Sequence, residues 1–197
     1  MKPLRFSVLI PAAGASTRLG QAKQLLRFGA TTLIRNVIHT AVSCDPAEII
    51  VITGAHASEV RAAARDTPVR WVHNDRWRDG LGVSIATGAA EIDPGSNGVL
   101  ILLCDQWRVD AGDLQTLVSA WRPAPGRIVS AQAGGHYTPP VIFPQNWFDK
   151  LCALEGDRGA RSLLESRSGQ VTAVPLENAA YDLDTPAHLQ LLDNQIL

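Results

Sequence analysis

Short apolar runs alternate with amphipathic stretches along most of the chain. Phe6–Ile10 reads as a buried strand, with Glu48–Thr53 and Val69–His73 as a second and third. Val99–Leu103 (Val-Leu-Ile-Leu-Leu) has no polar face, which predicts a central strand of a parallel sheet covered on both sides. Helical patterns fill the gaps. Leu33, Val37, Ile38 and Ala41 recur at i, i+4, i+5 and i+8, after Thr31 or Thr32 as the cap. Ser58–Ala64 predicts a second helix, and Asp110 can cap another that runs to Trp121. Ile128–Ala131 is strand-like again. This βαβ rhythm predicts an α/β fold, a doubly wound and mostly parallel sheet with right-handed crossovers.

The rhythm loosens between Ala133 and Ser168, where Gly134-Gly135 and Pro139-Pro140 punctuate it. Two short helices are expected to flank Gly156-Asp157-Arg158-Gly159. Val171–Val174 then returns as a strand, and Pro186 at a helix N1 position opens a C-terminal helix. With no repeat, low-complexity segment or linker, residues 1–197 read as a single domain.

Composition narrows the function classes. An apolar content of 46% with 19% charged residues supports a buried core. Eighteen Lys and Arg against 19 Asp and Glu leave a net charge of −1, which argues against a nucleic-acid surface. No apolar run approaches the roughly 18 residues of a membrane helix. Met1–Arg5 passes straight into a strand-like run without a signal-peptide pattern. A cytoplasmic protein with neither membrane nor nucleic-acid partner is expected. Cys44, Cys104 and Cys152 are far apart and odd in number, as for small buried hydrophobes in a reducing compartment. No Cys/His spacing suits zinc, so a carboxylate-held Mg²⁺ is the metal chemistry left open.

Four segments carry candidate chemistry. The loop Pro11–Lys23 follows the first strand, and its small residues let the backbone approach a ligand while consecutive amides form an anion nest. Arg18 and Lys23 add two positive charges, an arrangement suited to a triphosphate with its metal. The spacing fits neither a P-loop nor a dinucleotide fingerprint. Asp105 comes just after Val99–Leu103, so it should project into the crevice at the carboxyl ends of the strands, where a carboxylate can hold Mg²⁺. Asp182 and Asp184 alternate before Pro186, so one can serve as a second metal ligand while the other caps a helix. In Gly80–Gly88 two glycines feed a helix whose amides, with the Ser84 hydroxyl, can meet a ligand's polar edge.

Ala12–Lys23, Gly80–Gly88, Leu103-Cys104-Asp105-Gln106, Gly156–Arg161 and Asp182–Pro186 stand in the order seen in MobA-like nucleotidyltransferases, which the chain resembles over essentially its whole length. Within that family it most resembles the molybdenum cofactor cytidylyltransferases. The resemblance implies a Rossmann-like nucleotidyltransferase fold. It implies transfer of CMP from CTP to the phosphate of molybdopterin, with pyrophosphate released and Mg²⁺, or Mn²⁺, as cofactor. Ala12, Ala13 and Gly14 would lie along the nucleotide, Arg18 and Lys23 would contact its phosphates, and Gly82 and Ser84 would meet the base or ribose. Asp105 would bind the metal, with Asp182 or Asp184 as second ligand. A molybdoenzyme or maturation factor is the implied protein partner.

Three relatives of that reading make different demands. A methylerythritol-phosphate cytidylyltransferase shares the Ile10–Gly14 opening and the Lys23-Gln24 pair, whereas Gly156–Arg161 favours the molybdenum branch. GTP-using members typically carry a second glycine where Ala13 stands. A non-catalytic relative would have lost Lys23 or Asp105, and both are present. Trp107 departs from the family, which usually has proline after Asp-Gln. It has two readings: packing under the following helix near Leu114, or forming an aromatic wall of an acceptor pocket with Trp77 and Trp147.

Overall fold

Burial follows a period of two along the strands, and that pattern builds a sheet with a core on each face. Phe6, Val8, Ile10 and Ala12 of β1 (Phe6–Ala12) enter one cluster, while Leu9 enters the other. Ile49 and Val51 of β4 (Glu48–Thr53) divide from Ile50 and Ile52 in the same way. The structure is a computed structural model that describes residues 4–157, 159–165, 171–184 and 188. The remaining strands are β2 (Arg27–Phe28), β3 (Thr31–Thr32), β5 (Arg70–His73), β6 (Gly98–Ile101), β7 (Ile128–Ala133), β8 (His136–Pro144) and β9 (Val171–Pro175). The helices are α1 (Leu33–Val42), α2 (Ala57–Ala63), α3 (Leu81–Ala89), α4 (Ala111–Trp121), α5 (Phe148–Cys152) and α6 (Arg161–Glu165).

Seven strands form one sheet in the order β5-β4-β1-β6-β8-β7-β9, and β2 pairs β3 separately. Strands β5, β4, β1 and β6 are mutually parallel, as are β7 and β9. The doubly wound, mostly parallel sheet expected from the sequence is present. Residues of α1, α2 and α4 pack in the cluster on one face, and those of α3, α5 and α6 in the cluster on the other. From β1 the chain moves outward to β4 and β5, then crosses back through α3 to β6 on the far side of β1. This reversal makes the carboxyl ends of β1 and β6 the switch point, the usual ligand crevice of such sheets.

Several local features differ from the sequence reading. Strand β8 falls inside the stretch read as irregular and runs antiparallel between β6 and β7. Its register on β7 jumps from Ser130↔Val141 to Ala131↔Thr138, so Pro139 and Pro140 sit in a bulge where no ladder donor is required. Asp110 caps α4 as expected, accepting from the Asp113 amide, and Asp113 completes a capping box. Thr32 is the N-cap of α1, but its side chain makes no capping bond. Cys44 and Cys104 are buried, whereas Cys152 at the end of α5 is exposed. Pro186 and the helix expected after it lie outside the described residues. Among the described residues no helix is long and apolar enough to cross a membrane.

Candidate active site

The turn after β1 is shaped by its own side chains. Ser16 adopts a left-handed conformation (φ 54°), and its hydroxyl accepts the Lys23 amide at 3.1 Å. Gln24, almost fully buried, donates through Nε2 to the carbonyls of Ala12 (3.1 Å) and Gly14 (2.9 Å). This clamp folds Pro11–Gln24 back over the end of β1 and sends the Lys23 side chain toward β6. The clamping role of Gln24 has no local sequence signal beyond its place beside Lys23, because the carbonyls it serves meet only in the fold. The position of Gly14 leaves room, since a β-carbon there would meet nothing within 4 Å.

These elements enclose a cleft of ≈ 550 Å³ between the β1 turn, the start of α3 and the end of β6. Ala13, Gly14, Arg18, Lys23, Ser84 and Asp105 all line it, so sequence-separated candidates share one cavity. Arg78, absent from the sequence reading, adds a third cation and stacks on Trp77 at 4.2 Å. Ala12 lies just behind the cleft in the apolar core.

Lys23 and Asp105 meet at the centre. Lys23 Nζ lies 2.5 Å from Asp105 Oδ2 and 3.5 Å from Asp184 Oδ1. The Leu183 amide donates to the Asp105 carbonyl at 3.0 Å, which fastens the Asp182–Asp184 segment beside β6. Burial lowers the lysine pKa, but the charge and hydrogen bond of Asp105, with the charge of Asp184, more than offset it and hold the ammonium firmly. Asp182 stays in contact with solvent. Partial burial of its carboxyl, then the negative charges of Asp105 and Asp184, push its pKa up to about 6. Burial and Asp105 also raise the Cys104 thiol, leaving it neutral and without a nucleophile's character.

Asp105 Oδ1 is buried and lacks a hydrogen-bond partner among the described residues. Such an oxygen beside two further carboxylates suits a divalent cation. Among the described residues no three His, Cys, Asp or Glu side chains converge as a ready-made cage. That is compatible with Mg²⁺, which commonly takes one or two carboxylates and completes its shell with phosphate and water oxygens.

At the start of α3 the glycines serve packing. The Gly82 amide donates to the Gly156 carbonyl at 2.7 Å, and a β-carbon on Gly82 would come within 2.7 Å of the Glu155 and Gly156 carbonyl oxygens. The expected free amide is therefore engaged, because this turn docks on the 155–157 loop. The Ser84 hydroxyl is likewise occupied, accepting from Asn74 Nδ2 at 3.0 Å. Gly82→Ala is expected to lower stability by about 1–3 kcal/mol through overpacking, read from urea unfolding; an unchanged midpoint would show that the 155–157 loop yields freely.

A second cavity of ≈ 430 Å³ adjoins the first, sharing Leu81 and Leu103. It is largely apolar, with Tyr137, His136, Arg161 and Asp182 as its polar edge. Gln106, nearly buried, frames it by donating to the carbonyls of Pro139 (2.7 Å) and Ala179 (2.9 Å). Neither Trp107 nor Trp147 lines it. Trp107 is only 4% exposed and packs edge-on to Phe28 at 6.1 Å in the core that contains Leu114, so the aromatic-wall reading is corrected to a core role. Trp147 is buried against Phe143, and Trp77 borders the cleft instead.

The MobA-like NTP transferase domain profile matches residues 8–171. The chain belongs to this family. It is 31% identical over 193 residues to the purine catabolism protein PucB of Bacillus subtilis, covering 92% of each chain. A probable molybdenum cofactor guanylyltransferase of Rhodopirellula baltica is 28% identical over 186 residues, covering 90% of this chain and 87% of that one. The crystal structure of Rv0371c from Mycobacterium tuberculosis superposes with a TM-score of 0.83 at 28% identity, covering 98% of both chains. A manganese complex of Rv0371c gives a TM-score of 0.74, covering 95% of this chain and 97% of that one. The protein is thus a nucleotidyltransferase of the MobA-like type.

Proposed function

We propose that the protein transfers CMP from CTP to the phosphate of a small acceptor, molybdopterin, and releases pyrophosphate. One observation carries this reading. A cleft with Arg18, Lys23 and Arg78 on its wall and Asp105 at its base opens beside a separate, more apolar cavity. The first suits a nucleoside triphosphate, the second an acceptor with a ring system. In this reading one domain spans residues 1–197, works in the cytoplasm without nucleic acid or membrane, and passes its product to a molybdoenzyme or maturation factor.

Lys23 and Arg18 hold the phosphates, and Ala12, Ala13 and Gly14 run beneath the nucleotide. Gly82 sets the position of α3, and Ser84 faces the base or ribose. Asp105 holds Mg²⁺ or Mn²⁺, with Asp184 favoured over Asp182 as partner because Lys23 lies within 4 Å of both Asp105 and Asp184. The metal supplies charge neutralisation on the phosphoryl oxygens. The acceptor phosphate is already anionic, so no side chain need act as a base. What the protein contributes is alignment and fixed charge.

The guanylyltransferase relative favours a second reading, with GTP in place of CTP. Ala13 argues for the pyrimidine, since its methyl group narrows the cleft where GTP-using members typically carry glycine. One methyl group discriminates by about 1–3 kcal/mol. Pyrophosphate release should therefore be fastest with CTP when each NTP is assayed with and without molybdopterin. Equal or faster release with GTP would decide for the guanylyl reading, and none with any NTP would overturn both.

A further inference from the structure

Lys23 occupies two positions at once in the functional reading above. It is expected at the phosphates, yet its Nζ sits 2.5 Å from Asp105 Oδ2 and 3.5 Å from Asp184 Oδ1. One ammonium cannot keep both carboxylate contacts while also reaching across the cleft to a phosphate chain. We infer that Lys23 is a positioning residue: it acts as an internal counter-ion that holds Asp105 and Asp184 together in the resting protein and yields that place to a divalent cation.

The surroundings fit an exchange. Asp105 and Asp184 set two carboxylates on a single ammonium, so Lys23 balances only one of the two negative charges it touches. Without a cation between them Asp105 and Asp184 would repel, even though the buried Leu183 side chain and its amide bond to the Asp105 carbonyl keep the segment beside β6. The lysine backbone is pinned through its amide to Ser16 Oγ, which confines the movement to the side chain. Its flexible four-carbon stem and point charge suit such a swing, where an arginine fork would be committed to one geometry. The neighbouring wall offers Gly14, whose β side is open, and Arg18, which makes no ion pair among the described residues. A side chain released from the carboxylates therefore has a place to go, toward the part of the cleft where the phosphates are expected.

This inference rests on the nucleotidyltransferase reading in taking Asp105 and Asp184 as the cation's ligands, and it is tested without any nucleotide. Free Mn²⁺ is titrated by electron paramagnetic resonance against the wild-type protein, Lys23→Met, and Lys23→Met combined with Asp105→Asn. Removing the competing ammonium should tighten Mn²⁺ binding by about tenfold or more, and the added Asp105→Asn should abolish that gain. Unchanged or weaker binding by Lys23→Met overturns the inference. A second measurement needs no variant: Mn²⁺ alone should raise the rate at which an amine-reactive reagent labels Lys23, followed by mass spectrometry. A rate that stays level or falls overturns it too. The two readings fail separately. Turnover of an NTP by a protein whose Lys23→Met form binds Mn²⁺ no better refutes the counter-ion alone. Tighter Mn²⁺ binding in a protein that turns over no NTP refutes the transferase reading alone.

Discussion

Asp105→Asn is expected to cut turnover at least about a hundredfold while the protein stays folded, because removing one well-placed charge-stabilising group commonly costs about 10²–10³ in rate. The side chain keeps its shape but loses its charge at the point where the cleft concentrates cations. Its Oδ1 has no internal partner to forfeit, and the Leu183 amide bonds the main-chain carbonyl, which the change leaves intact. Steady-state kinetics at saturating Mg²⁺, beside a urea melt, check both halves. Near-normal kcat would remove Asp105 from the metal site, and a collapsed melt would make it a structural residue.

Trp107→Ala is expected to cost about 3–5 kcal/mol of stability without a selective rise in the acceptor KM. The ring is nearly inaccessible, meets Phe28 edge-on, and carries the Arg108 guanidinium 4.8 Å above it. Arg108 in turn lies 3.9 Å over Tyr181, so the truncation also loosens a stack that borders the Asp182–Asp184 segment. Urea unfolding measures the first effect, and KM values for CTP and acceptor measure the second. A stable variant with a raised acceptor KM alone would restore the pocket-wall role.

Elements with an unbroken period were legible in the sequence. β1, β4 and α4 follow from apolar spacing and from the Asp110 cap, and the all-apolar run ending at Leu103 located the middle of the sheet. The convergence of Gly14, Arg18, Lys23 and Asp105 was also legible, because loops at the carboxyl ends of adjacent parallel strands must meet. What depends on contacts between distant carbonyls was not. Gln24 and Gln106 are polar residues whose burial is explained only by main-chain oxygens brought to them by the fold. Strand β8 was hidden for another reason: Pro139 and Pro140 read as breaks, and only the bulge opposite Ser130 and Ala131 makes them tolerable. Trp107 shows the reverse problem. Its place in a motif drew attention to the cleft, whereas its size and apolar surface sent it into the core.

The hairpin of β7 and β8 has an evolutionary consequence. Gly134 and Gly135 both have positive φ (55° and 80°), the backbone of a two-residue turn matched to strand twist, and Gly134 borders the apolar cavity but not the phosphate cleft. Residues added at such a tip would change the shape of the cavity proposed for the acceptor and leave β1, Lys23 and Asp105 where they are. In the proposed reading the fold separates the part that fixes the chemistry from the part that selects its recipient. A lineage built on it can diversify by lengthening one turn, with the activated donor handled by inherited machinery throughout.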